Sequence, residues 1–265
     1  MTKGNKFGCL TYHAIGEPGG QYTLSERQFQ DQLALVQGEA YVIDGFEGLE
    51  LKLRSGQSLP SRYVILTVDD GHESGLWAAD LLGKCGCHAS FFPTRDRSAN
   101  RPGYIREEDI RELRKRGFSV GTHGTTHRKL TFLPKEQCLA ELAESKRWLE
   151  DVIGEEVRYM TAPGGFINAR VMKSAYECGY ALVGTCNEWM NSPRKMALPC
   201  TVNRVNVRRH FSLKTFRHIL EGHPGFYTRR QVRALSLWIP TQLLRLLARS
   251  FAPPCLSFPP QGPGG

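Results

Sequence analysis

Seven short β-rich runs alternate with longer helical patterns along this chain, and that alternation limits the fold more than any other feature. Several runs are almost continuously apolar, which is typical of parallel strands covered by helices. Parallel strands joined by helices form an open α/β sheet or a barrel. The predicted strands cover residues 7–13, 63–69, 89–93, 118–123, 158–163, 180–185 and 202–207.

Helix signals fill most stretches between the predicted strands. Ser25 begins a capping box, and Gly117, Gly154 and Gly179 each follow a helical pattern where a helix should end. The mixed segment 39–60 gives no consistent periodicity and stays unassigned. The helices ended by the three glycines are predicted over residues 106–116, 134–153 and 168–178.

The net charge of +9 is concentrated near the C-terminus. Residues 204–249 hold ten Lys or Arg and one acid, so the rest of the chain is balanced and no nucleic-acid groove through the core is expected. Residues 229–249 also carry a helical apolar stripe. The stripe predicts a basic helix packed on the outside of the domain, with an interfacial helix on an anionic membrane as the alternative.

A chain of 265 residues can form one large domain. We expect residues 1–207 to form it, residues 208–252 to form a basic helical extension, and the Pro- and Gly-rich residues 253–265 to be disordered. The first residues lack the apolar segment of a signal peptide, and nothing approaches the about 20 apolar residues of a membrane span. We therefore expect a cytoplasmic protein, with the inner face of the membrane as the alternative location.

Residues that bind metals or move protons stand at the ends of three predicted strands. Asp69 and Asp70 end one strand, His123 and His127 follow another, and His13 ends the first. Histidines four residues apart lie on one face of a helical turn and can share a metal ion. One carboxylate and two imidazoles leave coordination positions open, as in catalytic sites. One aspartate can therefore face the metal, while the other acts as a base.

These motifs resemble those of the polysaccharide deacetylases of carbohydrate esterase family 4, the NodB-homology domain. Residues 67–71 look like the family's T-F-D-D-G motif, and residues 123–127 look like its H-[ST]-x-x-H motif. Leu113 to His123, Gly154, residues 162–165 and Gly179-Tyr180 follow in family order. The resemblance covers roughly residues 7–207 and implies a distorted (β/α) barrel of about seven parallel strands.

The resemblance also implies an activity and a set of roles. The family's members remove N-acetyl groups from sugars with the help of Zn²⁺ or a similar divalent ion. Asp69 corresponds to the general base, and Asp70, His123 and His127 correspond to the metal ligands. A backbone N–H near Gly164 would help to hold the oxyanion. The implied partner is an N-acetylated carbohydrate, polymeric or lipid-linked.

Three departures from the family pattern affect the site. The third motif, usually R-P-P-Y-G, reads Thr161-Ala162-Pro163-Gly164-Gly165 here and lacks the Arg that orients the aspartate base. The D-x-x-D-W motif is absent, and only Glu188-Trp189 remains in its place. The last predicted strand also lacks the histidine of the L-x-H motif, which supplies the catalytic acid.

A different histidine must then protonate the leaving amine. His210 lies just beyond the last strand, but we favour His13, because a closed barrel places its first and last strands side by side. Some relatives that act on poly-N-acetylglucosamine resemble this chain in having an N-terminal Tyr-His. Two other functions stay open. One is hydrolysis of another C–N bond, in a formamide or a cyclic amide, and the other is carbohydrate binding by an inactive relative.

Overall fold

The computed structural model describes residues 6–16 and 19–228. Contacts divide the chain into two units, Met1–His223 and Pro224–Gly265, and the second is described only over the helical residues 224–228. The first unit extends past residue 207, and the domain boundary that we placed there stays a prediction. The basic helix predicted within residues 229–249 and the tail predicted at 253–265 lie outside the described residues.

A strand is present at each of the seven predicted places, but the strand predicted over 118–123 is limited to Ser119–Val120, and the one predicted over 202–207 is divided at Arg204. Short additional strands accompany them. The strands of the described residues are β1 (Gly8–Tyr12), β2 (Ala14–Ile15), β3 (Thr23–Leu24), β4 (Val42–Asp44), β5 (Tyr63–Asp70), β6 (Ser90–Pro93), β7 (Ser119–Val120), β8 (Tyr159–Thr161), β9 (Leu182–Thr185), β10 (Cys200–Asn203) and β11 (Val205–Asn206).

The strand pairings run around a ring. One sheet has the parallel order β11-β1-β5-β6-β7, with β4 added beside the start of β5, and a second has the parallel order β10-β9-β8. A parallel bridge between Thr122 and Met160 joins the end of β7 to β8. On the other side, β10 continues through Arg204 directly into β11. If β10 and β11 are counted as one strand, the two sheets form a distorted barrel of seven parallel strands, as predicted.

The helices begin and end largely at the signals in the sequence. Ser25 accepts a hydrogen bond from the Gln28 N–H and completes the predicted capping box, and the Asn168 side chain accepts one from the Val171 N–H at the start of a later helix. Gly154 has a φ of 71° and ends the helix Lys135–Ile153 in the left-handed conformation. The helices are α1 (Glu26–Gly38), α2 (Phe46–Ser55), α3 (Ser74–Lys84), α4 (Arg95–Asn100), α5 (Glu107–Lys115), α6 (Lys135–Ile153), α7 (Ala169–Glu177) and α8 (Leu213–Leu220).

One apolar cluster fills the interior and joins both sheets. Phe46 and Leu49 of α2 enter it from the end where β5 and β8 begin, and the Phe46 ring packs edge-on against Phe92 at 5.2 Å. Helix α2 therefore closes the amino-terminal end of the barrel and leaves the carboxyl ends of the strands for the site. The cluster comprises Phe7, Cys9, Phe46, Leu49, Tyr63, Ile65, Phe92, Tyr159, Leu182 and Val202.

The segment 39–60, left unassigned from the sequence, contains β4 and α2. In the described part of the chain, no helix has the length and apolar character needed to span a membrane.

Candidate active site

The adjacent aspartates at the end of β5 lie in different environments. Asp69 is buried inside the barrel, whereas the Asp70 side chain is 24% exposed. Asp70 has a φ of 74° and Gly71 a φ of 80°, so the chain turns sharply where the strand ends. A left-handed aspartate costs about 1–3 kcal/mol, and such strain is typical of functional sites. The turn gives the two carboxylates different neighbours.

The two histidines after β7 lie on an irregular loop, and the helical turn inferred from their spacing is wrong. Gly124 has a φ of 77° and His127 a φ of 63°, and no helix is assigned between residues 123 and 127. The loop nevertheless brings the two imidazole rings within 5.0 Å of each other, measured between centroids. The predicted pairing of the histidines therefore holds, although its backbone geometry differs.

Asp70, His123 and His127 converge as predicted. The Asp70 Oδ1 atom lies 2.9 Å from His127 Nε2 and 3.4 Å from His123 Nε2. One ligand atom from each residue lies within 4.8 Å of the others, which makes this a candidate metal site among the described residues. Burial raises the pKa of Asp70, but the neighbouring histidines and Arg97 outweigh it and hold the pKa well below its usual range. An ionised carboxylate and two imidazoles fit a divalent cation such as Zn²⁺.

Thr161 holds the His123 ring in the orientation and tautomer that suit a metal ligand. Its Nδ1 lies 2.6 Å from Thr161 Oγ1 and 3.1 Å from the Thr161 carbonyl oxygen, which leaves Nε2 facing Asp70. Burial lowers the pKa of His123 to about 4, so the ring is neutral at pH 7. A histidine that donates from Nδ1 offers its Nε2 lone pair to a metal, which is the usual role of such a partner.

Asp69 forms a buried ion pair that the sequence analysis missed. Arg204, wholly buried at the junction of β10 and β11, contacts it with two nitrogens, Nη1 to Oδ1 at 2.8 Å and Nη2 to Oδ2 at 2.9 Å. Burial raises the pKa of Asp69, but Arg204 foremost, together with His123, outweighs it and keeps the pKa below its usual value. Asp69 is therefore ionised and held in one orientation.

The sequence contained a signal for this pair. An arginine inside an apolar barrel strand needs an acidic partner, since an isolated buried charge is strongly unfavourable. Gly184 on β9 makes room for the guanidinium, because a Cβ at this position would lie 2.7 Å from Arg204 Nε. Thr161, at the position of the family's third-motif Arg, instead donates to Asp69 Oδ1 at 3.4 Å. The guanidinium that orients the aspartate comes from a different strand.

The two histidines considered as acids have different surroundings. The His13 ring stacks on Tyr22 at 5.1 Å, and its Nδ1 is buried without a hydrogen-bond partner among the described residues. Burial lowers the pKa of His13, and the charges of Asp69 and Asp70 partly counteract that effect. His210 is exposed and packs against the ring of Phe211. The charges of both aspartates act on His13, which places its ring near them and favours it as the acid, and this role stays a prediction.

The glycines of the third motif form a tight turn beside the histidine loop. Gly164 and Gly165 have φ values of 68° and 73° within the 3-10 turn Pro163–Gly165. A Cβ on Gly124 would lie 3.4 Å from the Pro163 ring, so this turn borders the loop that carries His127. This location suits the predicted oxyanion contact near Gly164, which stays a prediction.

The sequence profile of the Polysaccharide deacetylase family matches residues 56–183, which include both aspartates and both loop histidines. YxkH of Bacillus subtilis, a protein named for the same family, is 24% identical over 218 residues, or 82% of this chain and 77% of YxkH. The peptidoglycan-N-acetylglucosamine deacetylase of Bacillus cereus is 28% identical over 147 residues, or 55% of this chain and 65% of that protein. The chain is thus similar to the polysaccharide deacetylase family over just under half of its length.

Two solved structures share the fold. The deacetylase PplD of Streptococcus pyogenes has a TM-score of 0.73 at 20% identity, covering 81% of this chain and 98% of PplD. IcaB of Ammonifex degensii has a TM-score of 0.73 at 24% identity, covering 83% of this chain and 97% of IcaB. The family match and these relatives support a hydrolase that acts on carbon–nitrogen bonds. The family is generally metal-dependent, in keeping with the convergent Asp70, His123 and His127.

One departure from the deacetylase motifs now has a structural description. Glu188, which stands with Trp189 in place of D-x-x-D-W, forms an ion pair with Arg208 at 2.8 Å. Trp189 is 38% exposed. The Glu188 carboxylate is thus paired with Arg208, whereas Asp69 is oriented by Arg204.

Proposed function

We propose that this protein is a metal-dependent deacetylase that removes the N-acetyl group from a sugar in a polysaccharide or glycolipid. The convergence of Asp70, His123 and His127 beside an ionised, oriented Asp69 carries the proposal. The three converging residues would hold the ion, and the N and O donors suit Zn²⁺. When bound, such an ion lowers the pKa of water and polarises the acyl oxygen.

Asp69 is proposed as the base that takes a proton from the attacking water. Its two contacts with Arg204 leave it ionised and fix the plane of the carboxylate. A base held in this way needs no reorientation when the substrate arrives, which is how positioned groups lower activation barriers. Arg204 acts through Asp69 and is a positioning residue.

His13 is proposed to give a proton to the departing amine, and the N–H near Gly164 to hold the oxyanion. An amine leaves poorly unless it is protonated as the tetrahedral intermediate collapses. Burial lowers the pKa of His13, so its ring is mainly neutral at pH 7, and the proton that Asp69 takes from the attacking water must reach His13 before the amine departs. Backbone N–H groups at a rigid turn are suitable oxyanion donors.

The test is acyl release from a panel of substrates by the purified protein, before and after treatment with a chelator. We expect acetate from N-acetylated oligosaccharides, loss of activity with the chelator, and recovery with Zn²⁺. Release of formate from N-formylated sugars, or ring opening of cyclic amides, without acetate release would instead support the alternative C–N substrates. Binding of oligosaccharides without any turnover would support the inactive carbohydrate-binding relative.

Metal content provides a separate test. His127→Ala removes one of three ligands and should sharply lower the copurifying divalent metal, measured by elemental analysis. His88→Ala is the matched control, because His88 is exposed before β6 and lies outside the cluster. Full metal occupancy in His127→Ala would contradict the assignment.

A further inference from the structure

Hydrogen bonds from two directions hold the loop that separates the two histidines. The carbonyl oxygens of Gly124 and Thr125 accept from the N–H groups of Arg95 at 3.2 Å and Asp96 at 3.0 Å, at the start of α4. The loop's own donors point the other way, toward Glu141 on α6. The backbone of this loop thus finds its partners in two separate helices.

The Glu141 side chain accepts the hydrogen bonds of these loop donors. The Glu141 Oε2 atom accepts from the N–H groups of Thr125 and Thr126, both at 3.0 Å, and Oε1 accepts from the Thr126 hydroxyl. The Glu141 carbonyl accepts from the Thr125 hydroxyl at 3.0 Å. Glu141 is only 7% exposed, so neither the carboxylate nor the loop can readily replace these bonds with water.

The two histidines depend on this arrangement to different extents. His123 directly follows the bridge at Thr122, and Thr161 holds its ring. His127 stands at the far end of the loop with a φ of 63°, an unfavourable conformation that persists only where its surroundings impose it. The N–H groups of Thr125 and Thr126, directly before His127, are both bound to Glu141. The place of the His127 ring is therefore set through Glu141.

We propose that Glu141 is a positioning residue that sets the metal affinity of the site by fixing His127 opposite Asp70. This inference rests on the proposed metal site and assigns Glu141 no contact with the substrate or the ion. Glutamine has nearly the same shape, but its amide nitrogen can only donate. In Glu141→Gln the amide oxygen can still accept from the two N–H groups, but the amide nitrogen must donate to the Thr126 hydroxyl, and all these hydrogen bonds lose the charge of the carboxylate.

The experiment measures Co²⁺ binding by the metal-stripped full chain, with the dissociation constant and the electronic spectrum as readouts. Glu141→Gln should bind Co²⁺ about 10-fold or more weakly, with shifted bands, because supporting residues of metal sites typically contribute 10- to 100-fold. Glu144→Gln is the matched control. It lies on the same helix, is 47% exposed and pairs with Arg95, and it should leave both readouts unchanged.

A double-mutant cycle separates positioning from general stabilisation. If Glu141 acts through His127, Glu141→Gln should change the Co²⁺ affinity of His127→Ala by less than about 2-fold. Unaltered affinity in Glu141→Gln, or an equal loss in both backgrounds, would overturn the inference. If His127→Ala alone leaves the affinity unchanged, the proposed metal site itself fails, and that result is distinguishable.

A milder variant covers the case in which Glu141→Gln does not fold. Thr126→Val removes only the hydroxyl donor to Glu141 and keeps both N–H bonds. We expect it to weaken Co²⁺ binding by about 2- to 5-fold while the melting temperature of the metal-free protein changes little, since only one hydrogen bond is lost. Unchanged affinity in this variant would contradict the positioning role.

Discussion

At the residue scale, neighbouring carboxylates in one motif acquire different properties from what surrounds them. Asp69 is buried against the Arg204 guanidinium, whereas Asp70 turns outward through a left-handed backbone to face two imidazoles. Arg204 contacts both oxygens of Asp69, which leaves that carboxylate little freedom to coordinate an ion, whereas Arg97 contacts only Oδ1 of Asp70, at 2.8 Å. This difference suits one residue to proton transfer and the other to metal binding.

The division of roles predicts opposite effects of two similar substitutions. Asp69→Asn should retain the divalent metal but lose about 10²-fold or more in kcat, because the base is removed. Asp70→Asn should mainly weaken metal binding, measured as a larger dissociation constant for Zn²⁺. Activity must be compared well below the melting temperature, since Asp69→Asn leaves Arg204 without its anion. The reverse pattern would mean that the two roles are exchanged.

A second prediction concerns the acid. His13→Ala should keep the metal and the fold but lose activity on acetamides, because their amine must be protonated to leave. An aryl acetate has a better leaving group, so the variant should keep much more activity on that substrate. The measurement is kcat/KM for both substrates, with His210→Ala as the control. A larger amide-specific loss in His210→Ala would identify His210 as the acid instead.

At the element scale, the strands were predictable and the pairing across the barrel was not. The seven apolar runs coincide with strands because burial on both faces leaves a continuous apolar pattern. No element could be predicted in the segment 39–60, because β4 and α2 are short and the glycines of the segment interrupt any hydrophobic periodicity. Asp69 and Arg204 are 135 residues apart, and only the closure of the ring brings them together. The histidine loop was misjudged because i, i+4 spacing cannot reveal left-handed residues.

The junction between β10 and β11 provides a third prediction. Arg204→Met leaves the Asp69 carboxylate buried without its cation, and breaking such a pair typically costs about 3–5 kcal/mol of unfolding free energy. Asp69→Asn combined with Arg204→Met should cost less than the sum of the two single changes, because no charge is then stranded. Urea unfolding of the metal-free wild type, the two single variants and the double variant measures each free energy of unfolding. Additive losses would show that the contact between these residues carries little energy.

At the scale of the whole molecule, the two ends of the barrel have separate tasks. The carboxyl ends of the strands carry the candidate site, whereas α2 closes the opposite end with Phe46, Leu49 and a buried carboxylate, Glu50. Glu50 Oε1 accepts from Arg54 Nε at 2.7 Å and from the Arg158 guanidinium, and Oε2 accepts from the Tyr159 hydroxyl at 2.7 Å. The carboxylate thus joins α2, which lies between β4 and β5 in the chain, to the start of β8 in the second sheet.

This separation of the two ends predicts a change in stability that spares the chemistry. Burial raises the pKa of Glu50, but its hydrogen bonds with Arg158, Tyr159 and Arg54 outweigh that effect and hold the pKa below its usual value. The ionised group therefore stabilises the fold fully above the unfolded-state pKa of about 4.3, and this contribution is lost as the pH falls toward the lower folded-state value. Glu50→Gln should lower the free energy of unfolding by about 2 kcal/mol at pH 7.

The pH dependence of that loss distinguishes its cause. Glutamine does not titrate, so the difference between wild type and Glu50→Gln should be constant from pH 7 to about pH 5 and shrink below about pH 4.3. Urea unfolding at several pH values measures the difference, and acetate release at pH 7 should match that of the wild type. Glu47→Gln is the control on the same helix, since Glu47 is more exposed and pairs with Arg114. Only the ionised carboxylate is stabilised by the charges of Arg54 and Arg158. If the difference in unfolding free energy stayed constant down to pH 3, the loss of stability in Glu50→Gln would therefore come from packing.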